Sequence, residues 1–122
     1  MTNQTKSTFI GMLMHVRDYL DISAFGESGP GSLSSKTSLL KLSEKVLIST
    51  HRLVFSTQGR EGLLEIIVPA TKYEKKPQEF LEAFLLYLDK SDKLFNEKWQ
   101  KNILNELSEM VLNTIYELKY LK

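Results

Sequence analysis

The chain has 122 residues, of which 42% are hydrophobic and 25% charged, the size and balance of a single globular domain. Sixteen Lys and Arg stand against fifteen Asp and Glu, so the formal net charge is +1 and no strong overall field attracts nucleic acid or an anionic membrane. The absence of cysteine excludes thiol catalysis, a Cys-ligated zinc site and a disulfide framework.

The first predicted element is an amphipathic helix over residues 8–25. Its apolar side chains recur at spacings of four, three and four, at Phe9, Leu13, Val16 and Leu20. His15, Arg17 and Asp18 interrupt the apolar stretch, which is too short and too charged for a signal sequence or a membrane span. We therefore expect no membrane association and a cytoplasmic location. Three glycines and a proline end the helix and predict a flexible loop at 26–35.

The second predicted helix covers residues 39–55, with Ser34 or Ser35 as its N-cap. Its leucines and valines form one broad apolar face on a helical projection. β-Branched residues support an alternative, in which 52–57 and 63–68 pair as a β-hairpin. We favour the helix, followed by a short helical segment that ends at Pro69.

Two helices are predicted in the C-terminal half. Pro77 and Glu79 suit the first turn of one helix, and the chain turns or kinks near residues 90–92. The last helix is predicted from about Asp92 to Leu121, with an apolar stripe at Leu104, Leu107, Val111, Ile115 and Leu118. The prediction is thus one all-α domain, a small bundle of four to five helices, with an α+β fold containing one hairpin at 52–68 as the alternative.

The sequence offers no pattern for catalysis, a metal or a cofactor. The two histidines, His15 and His51, have no partner at metal-ligand spacing. No Gly-x-Ser-x-Gly motif is present, and the glycines of 26–31 lack the strand and the Lys-Ser/Thr of a phosphate-binding loop. We therefore expect a non-enzymatic protein without a cofactor or a metal.

The cations of the second helix are the strongest candidate for a binding surface. Between Lys36 and Arg60 the chain has five cations and one acid, Glu44. Lys41, Lys45 and Arg52 fall together on the projection, opposite the apolar face, with Ile48 and Phe55 beside them. Such a stripe can contact phosphates while its apolar members pack on a sugar, a base or a partner subunit. The same pattern is typical of the solvated side of an ordinary surface helix.

The segment Arg52-Leu-Val-Phe-Ser-Thr-Gln-Gly-Arg-Glu61 resembles the region between helices in the small helical subunits of type I and type III CRISPR effector complexes. The resemblance implies a non-catalytic bundle that binds RNA or single-stranded DNA within a multi-subunit protein complex and self-associates along the strand. It makes Arg52 and Arg60 strand contacts, which Lys41 and Lys45 join because they belong to the same basic stripe. Our hypothesis is that the chain is a subunit of this kind, with Lys41, Lys45, Arg52 and Arg60 as nucleic-acid-binding residues.

Two alternatives stay open. Ser56-Thr-Gln-Gly-Arg-Glu-Gly-Leu63 is similar to the junction after a wing strand in winged-helix regulators, which implies DNA binding, although no tight helix-turn-helix precedes it. A bundle without a catalytic site also suits a protein-binding module such as an adaptor, an antitoxin or an immunity protein. Binding that weakens steeply with salt would favour the nucleic-acid hypotheses over this last one.

Overall fold

Four α-helices and one turn of 3₁₀ helix form the described part of the chain, which contains no β-strand. The computed structural model describes residues 5–26, 32–69 and 76–120. The helices are α1 (Lys6–Phe25), α2 (Ser32–Glu61), α3 (Pro77–Ser91) and α4 (Lys98–Tyr120), and the 3₁₀ turn is Asp92–Leu94. The predicted all-α bundle is confirmed. The hairpin alternative at 52–68 is wrong, since 52–61 belong to α2 and 62–68 form no strand.

A reciprocal cap starts α1. The backbone N–H of Thr8 donates to the Thr5 hydroxyl at 3.2 Å, and the N–H of Thr5 donates to the Thr8 hydroxyl at 2.9 Å. The helix ends at Gly26, whose N–H donates to carbonyls of the last turn. The four residues of the predicted stripe are all fully buried. The periodicity therefore identified both the helix and its core face.

The second helix begins earlier than the sequence predicted. Residues 32–35, assigned to the flexible loop, form the first turn of α2, so Ser34 and Ser35 lie within the helix rather than at its cap. The rest of that loop, 27–31, lies outside the described residues. Serine is a weak helix former, but its small side chain allows close packing. The buried serines of α2 are Ser35, Ser38, Ser43 and Ser49.

Polar contacts between helices show that the pairs α1–α2, α2–α4 and α3–α4 pack antiparallel. In each pair of helices, residue numbers rise along one helix as they fall along the other. The contacts are Asp21–Ser43 and Lys6–Glu61 between α1 and α2, Arg52–Glu106 between α2 and α4, and Glu82–Lys119 between α3 and α4. The helices thus run up, down, down and up in chain order, which requires a long crossover between α2 and α3.

Residues 62–69 provide the described part of that crossover. They form no regular secondary structure, so the predicted short helix ending at Pro69 is wrong. The backbone of Ile67 crosses directly over Gly11 of α1, and Val68 lines a pocket together with Met14 and Arg17 of the same helix. The last helix also differs from its prediction: it starts at Lys98, because the chain forms a 3₁₀ turn over 92–94 and no helix over 95–97.

The core lies between the four helices and contains the predicted stripes of α1 and α4. One polar link crosses it: the side-chain amide of Gln100 donates to the hydroxyl of Thr57 at 3.2 Å, and both residues are buried. This contact fixes the height of α4 against the last turns of α2. The packing leaves one long side of α2 exposed next to α4, and this side carries the predicted binding residues.

Candidate functional site

All four predicted nucleic-acid-binding residues lie on α2 and are exposed to solvent. At 100° per residue, Lys41, Lys45 and Arg52 project within about 40° of one another, whereas Arg60 turns toward α4. From Lys41 to Arg60 the helix rises about 28 Å. The structure therefore brings three of the four together on one face and places the fourth at the far end.

Carboxylates on α4 and on the residue just before it already pair with two of these cations. Arg52 contacts Glu106 at 3.2 Å, and the Nε of Arg60 contacts Glu97 at 2.9 Å. Among the described residues, neither Lys41 nor Lys45 has a carboxylate oxygen within 4.0 Å of its ammonium group. A phosphate near Arg52 or Arg60 would thus compete with an existing ion pair.

The exposed side of α2 borders a shallow groove against α4, which we call the α2–α4 groove. In one part of it, of about 360 Å³, Lys45 and Arg52 face Glu106 and Glu109. In the neighbouring part, of about 220 Å³, Lys41 and Lys45 face Glu117. Met110 contributes to both parts. The groove therefore has a basic wall from α2 and an acidic wall from α4.

Sequence reasoning missed the acidic wall. Residues 102–117 contain three acids, Glu106, Glu109 and Glu117, and no Lys or Arg. All three lie off the apolar stripe of α4, and a helical projection of residues 98–120 would have shown this acidic side. What the sequence did not reveal is that this side of α4 lies next to the cations of α2. The neighbouring carboxylates lower the positive potential that the basic stripe alone would present.

Apolar side chains emerge between and beside these charges. Ile48 is 50% exposed and lines the groove next to Arg52, and Phe55 is 68% exposed two turns after Ile48 on α2. On α4, the rings of Tyr116 and Tyr120 lie 5.2 Å apart, and both are exposed. Aromatic and aliphatic groups ringed by charge are typical of the centre of a protein interface.

The two histidines lie on different helices and in different environments. His15 is buried in α1, with its ring centroid 6.0 Å from that of Phe80, and its Nδ1 has no hydrogen-bond partner among the described residues. His51 is exposed on α2, 5.7 Å from the Phe55 ring. Within the described ranges, no three His, Asp or Glu side chains are grouped to hold a metal ion.

Among the described residues, the wing strand that the winged-helix pattern predicts is not present. Residues 56–61 complete α2, where the Ser56 hydroxyl donates to the Arg52 carbonyl one turn earlier. Thr50 makes the same type of bond to Val46 at 2.7 Å. These bonds let hydroxyl residues remain helical where their strand propensity suggested a hairpin.

No protein-family model, curated protein or solved structure matches the chain. Of the helices described, none combines the length and the apolar character that crossing a bilayer requires. The geometry of the α2–α4 groove is consequently the main guide to function.

Proposed function

We propose that this chain is a non-enzymatic subunit of a larger assembly and that it binds another protein through the α2–α4 groove and the exposed face of α2 beside it. The observation that carries the proposal is the exposure of Ile48 and Phe55 among charges of both signs. An apolar centre loses water on binding and supplies the affinity, while the surrounding charges select the partner and its orientation.

The charge pattern favours a protein over a polyphosphate. Glu106, Glu109 and Glu117 lie along the groove that Lys41, Lys45 and Arg52 line, so a phosphate backbone placed there would meet both attraction and repulsion. A protein surface can satisfy both walls, because it carries both signs of charge itself.

A double substitution tests the proposal in the full chain. Ile48→Asp with Phe55→Asp places two charges at the proposed contact without touching the core, since both side chains point to solvent. Leu86→Asp is the matched control, because Leu86 is 62% exposed on α3, away from the groove. Wild type, variant and control are purified gently from the native host, and the protein retained by each is identified and quantified.

The proposal expects at least a tenfold loss of the specifically retained protein from the double variant, with retention unchanged for Leu86→Asp. Equal retention by all three proteins would contradict it. Circular dichroism of each variant establishes that the helices are intact, so that a loss of binding is not a loss of folding.

Contact with a nucleic-acid backbone is a second candidate, and one observation favours it. Lys41 and Lys45 lie one turn apart, exposed, and have no ion-pair partner among the described residues. Two phosphate contacts to a single strand predict a slope of about −1.4 in log affinity against log salt. Fluorescence anisotropy with a labelled single-stranded RNA measures this slope, and Lys41→Gln with Lys45→Gln would abolish it.

A further inference from the structure

We propose that the α2–α4 groove is self-complementary and that its occupant is a second copy of this chain, joined to the first as a twofold dimer. This inference rests on the proposed function, because it names the partner of the same surface. It is carried by the distribution of charge between the two walls and by the antiparallel course of α2 and α4.

The two helices carry opposite charge along matching lengths. Residues 41–52 of α2 contain Lys41, Lys45 and Arg52 with one acid, Glu44. Residues 102–117 of α4 contain three acids and no cation. These segments lie side by side, since Lys41 shares the groove with Glu117 and Arg52 pairs with Glu106. The surface is thus divided lengthwise into a basic half and an acidic half.

A twofold axis parallel to the helices, placed midway between them, superposes the basic half of one copy on the acidic half of the other. The rotation leaves the height along the helices unchanged, so Lys41 meets Glu117 of the second copy and Arg52 meets Glu106 of the second copy. A twofold axis perpendicular to the helices would instead oppose like charges. Symmetry and charge together therefore select one dimer, in which α2 of each copy packs against α4 of the other.

Exposed apolar side chains lie along the surface that this dimer would bury. Ile48 and Phe55 project from α2 and the Tyr116–Tyr120 pair projects from α4, and all four are at least half exposed in the single chain. In the proposed dimer, Ile48 and Phe55 face α4 of the second copy near Met110 and Ile103, and Tyr116 and Tyr120 face α2 of the second copy near Lys41, so each contact removes apolar surface from water. Lys41 and Lys45, which lack an ion-pair partner within the described chain, gain carboxylates from the second copy.

Charge reversal on one wall at a time gives a specific test. The first variant changes Lys41, Lys45 and Arg52 to Glu, and the second changes Glu106, Glu109 and Glu117 to Lys. In either variant both walls carry the same sign, so each alone should dimerise at least about tenfold more weakly than wild type. When the two are mixed, the acidic walls of one face the basic walls of the other, and a heterodimer should form.

Sedimentation velocity over a concentration series measures the outcome, with circular dichroism as the folding control. We expect a wild-type species of twice the 14.1 kDa chain mass. Each charge-reversal variant alone should be predominantly monomeric, and the equimolar mixture of the two should form a dimer. A wild-type chain that stays monomeric at every concentration would overturn the inference. So would variants that dimerise as wild type does, or a mixture that stays monomeric.

These failures are distinct from failure of the proposed function. The wild-type chain could be monomeric while it retains a protein other than itself, and the Ile48→Asp, Phe55→Asp variant could fail to retain that protein. In that case the groove binds a heterologous partner, and only the self-association is wrong. If retention is unchanged as well, both are wrong.

Discussion

Gly11 of α1 lies directly beneath the backbone carbonyl of Ile67. A Cβ atom built on Gly11 would stand 2.0 Å from that oxygen, far inside van der Waals contact. The glycine is in the interior of a helix, where it is less favourable than alanine by roughly 0.8–1 kcal/mol. Its presence is explained by the crossover, whose extended backbone packs against α1 at this point.

Gly11→Ala should therefore displace the crossover from α1. We expect a lower midpoint of thermal unfolding and faster amide exchange at Ile67 and Val68, because the steric cost of overpacking, about 1–3 kcal/mol, exceeds the gain in helix propensity. Gly59→Ala is the control: Gly59 lies in α2 with nothing within 4 Å of its Cβ position, so this change should raise the midpoint. Stabilisation of both variants alike would show that the close approach does not matter.

The crossover also shows where sequence reasoning stops. Leu63, Leu64 and Ile67 suit a helix or a strand, and the structure forms neither over 62–69. The path of these residues depends on contacts remote in sequence, including the glycine at position 11 and the Gln58 side-chain amide oxygen, which accepts from the N–H of Leu64 at 3.1 Å. The apolar periodicity identified the buried faces of α1 and α4, but it contains no information on contacts between residues that are distant in sequence.

The buried hydrogen bond between Gln100 and Thr57 predicts a non-additive pair of substitutions. Thr57→Val removes the acceptor and leaves a buried amide donor unpaired, so unfolding free energy should fall by about 1–3 kcal/mol. Changing both residues, Thr57→Val with Gln100→Leu, removes both polar groups and should cost less than the sum of the single changes. Urea denaturation of the wild type, Thr57→Val, Gln100→Leu and the double variant measures the four unfolding free energies. Strictly additive losses would contradict a direct interaction between the two side chains.

Tyr19 gives the protein a stability that depends on pH in the alkaline range. Burial raises the pKa of this phenol above its ordinary value of 10.0; a hydrogen bond with the Ser23 side chain opposes the effect, and the charge of Glu79 adds to it. Above about pH 10 the unfolded chain releases the proton while the folded chain retains it, so stability falls between 10 and the raised pKa by up to about 1.4 kcal/mol per pH unit. Below that window the group contributes no pH dependence.

Tyr19→Phe should reduce this alkaline loss. The ring also stacks on Phe80 at a centroid distance of 3.7 Å, a contact that phenylalanine preserves. Urea denaturation from pH 8 to pH 11 compares the variant with wild type and with Tyr116→Phe, whose ring is exposed. The account is contradicted if Tyr19→Phe and wild type lose stability in parallel above pH 10.

Two apolar residues two positions apart on α2 should separate stability from binding. Leu53 is fully buried, and Leu53→Ala should lower the unfolding free energy by about 2–5 kcal/mol. Phe55 points to solvent, so Phe55→Ala should change stability by no more than about 0.5 kcal/mol while it weakens binding. Thermal unfolding and the sedimentation assay read the two properties separately. A strongly destabilised Phe55→Ala would assign that ring to the fold instead.

The candidate site was foreseen in part. The projection of α2 placed Lys41, Lys45 and Arg52 on one exposed face with Ile48 and Phe55, and the structure has them there. It did not foresee Glu106 beside Arg52 or Glu97 beside Arg60, because helix order in space follows from long-range packing rather than from local pattern. Nucleic-acid binding by these four cations remains a prediction, now set against the carboxylates that share their surface.

The most direct test of the account is photo-crosslinking in the native host, with benzoylphenylalanine in place of Phe55 in one protein and in place of Leu86 in another. The account predicts a discrete protein adduct at position 55 and none at position 86, and an adduct of twice the chain mass identifies the second copy. Absence of a protein adduct at position 55, or equal adducts at both positions, would contradict the claim that the α2–α4 surface is the binding face.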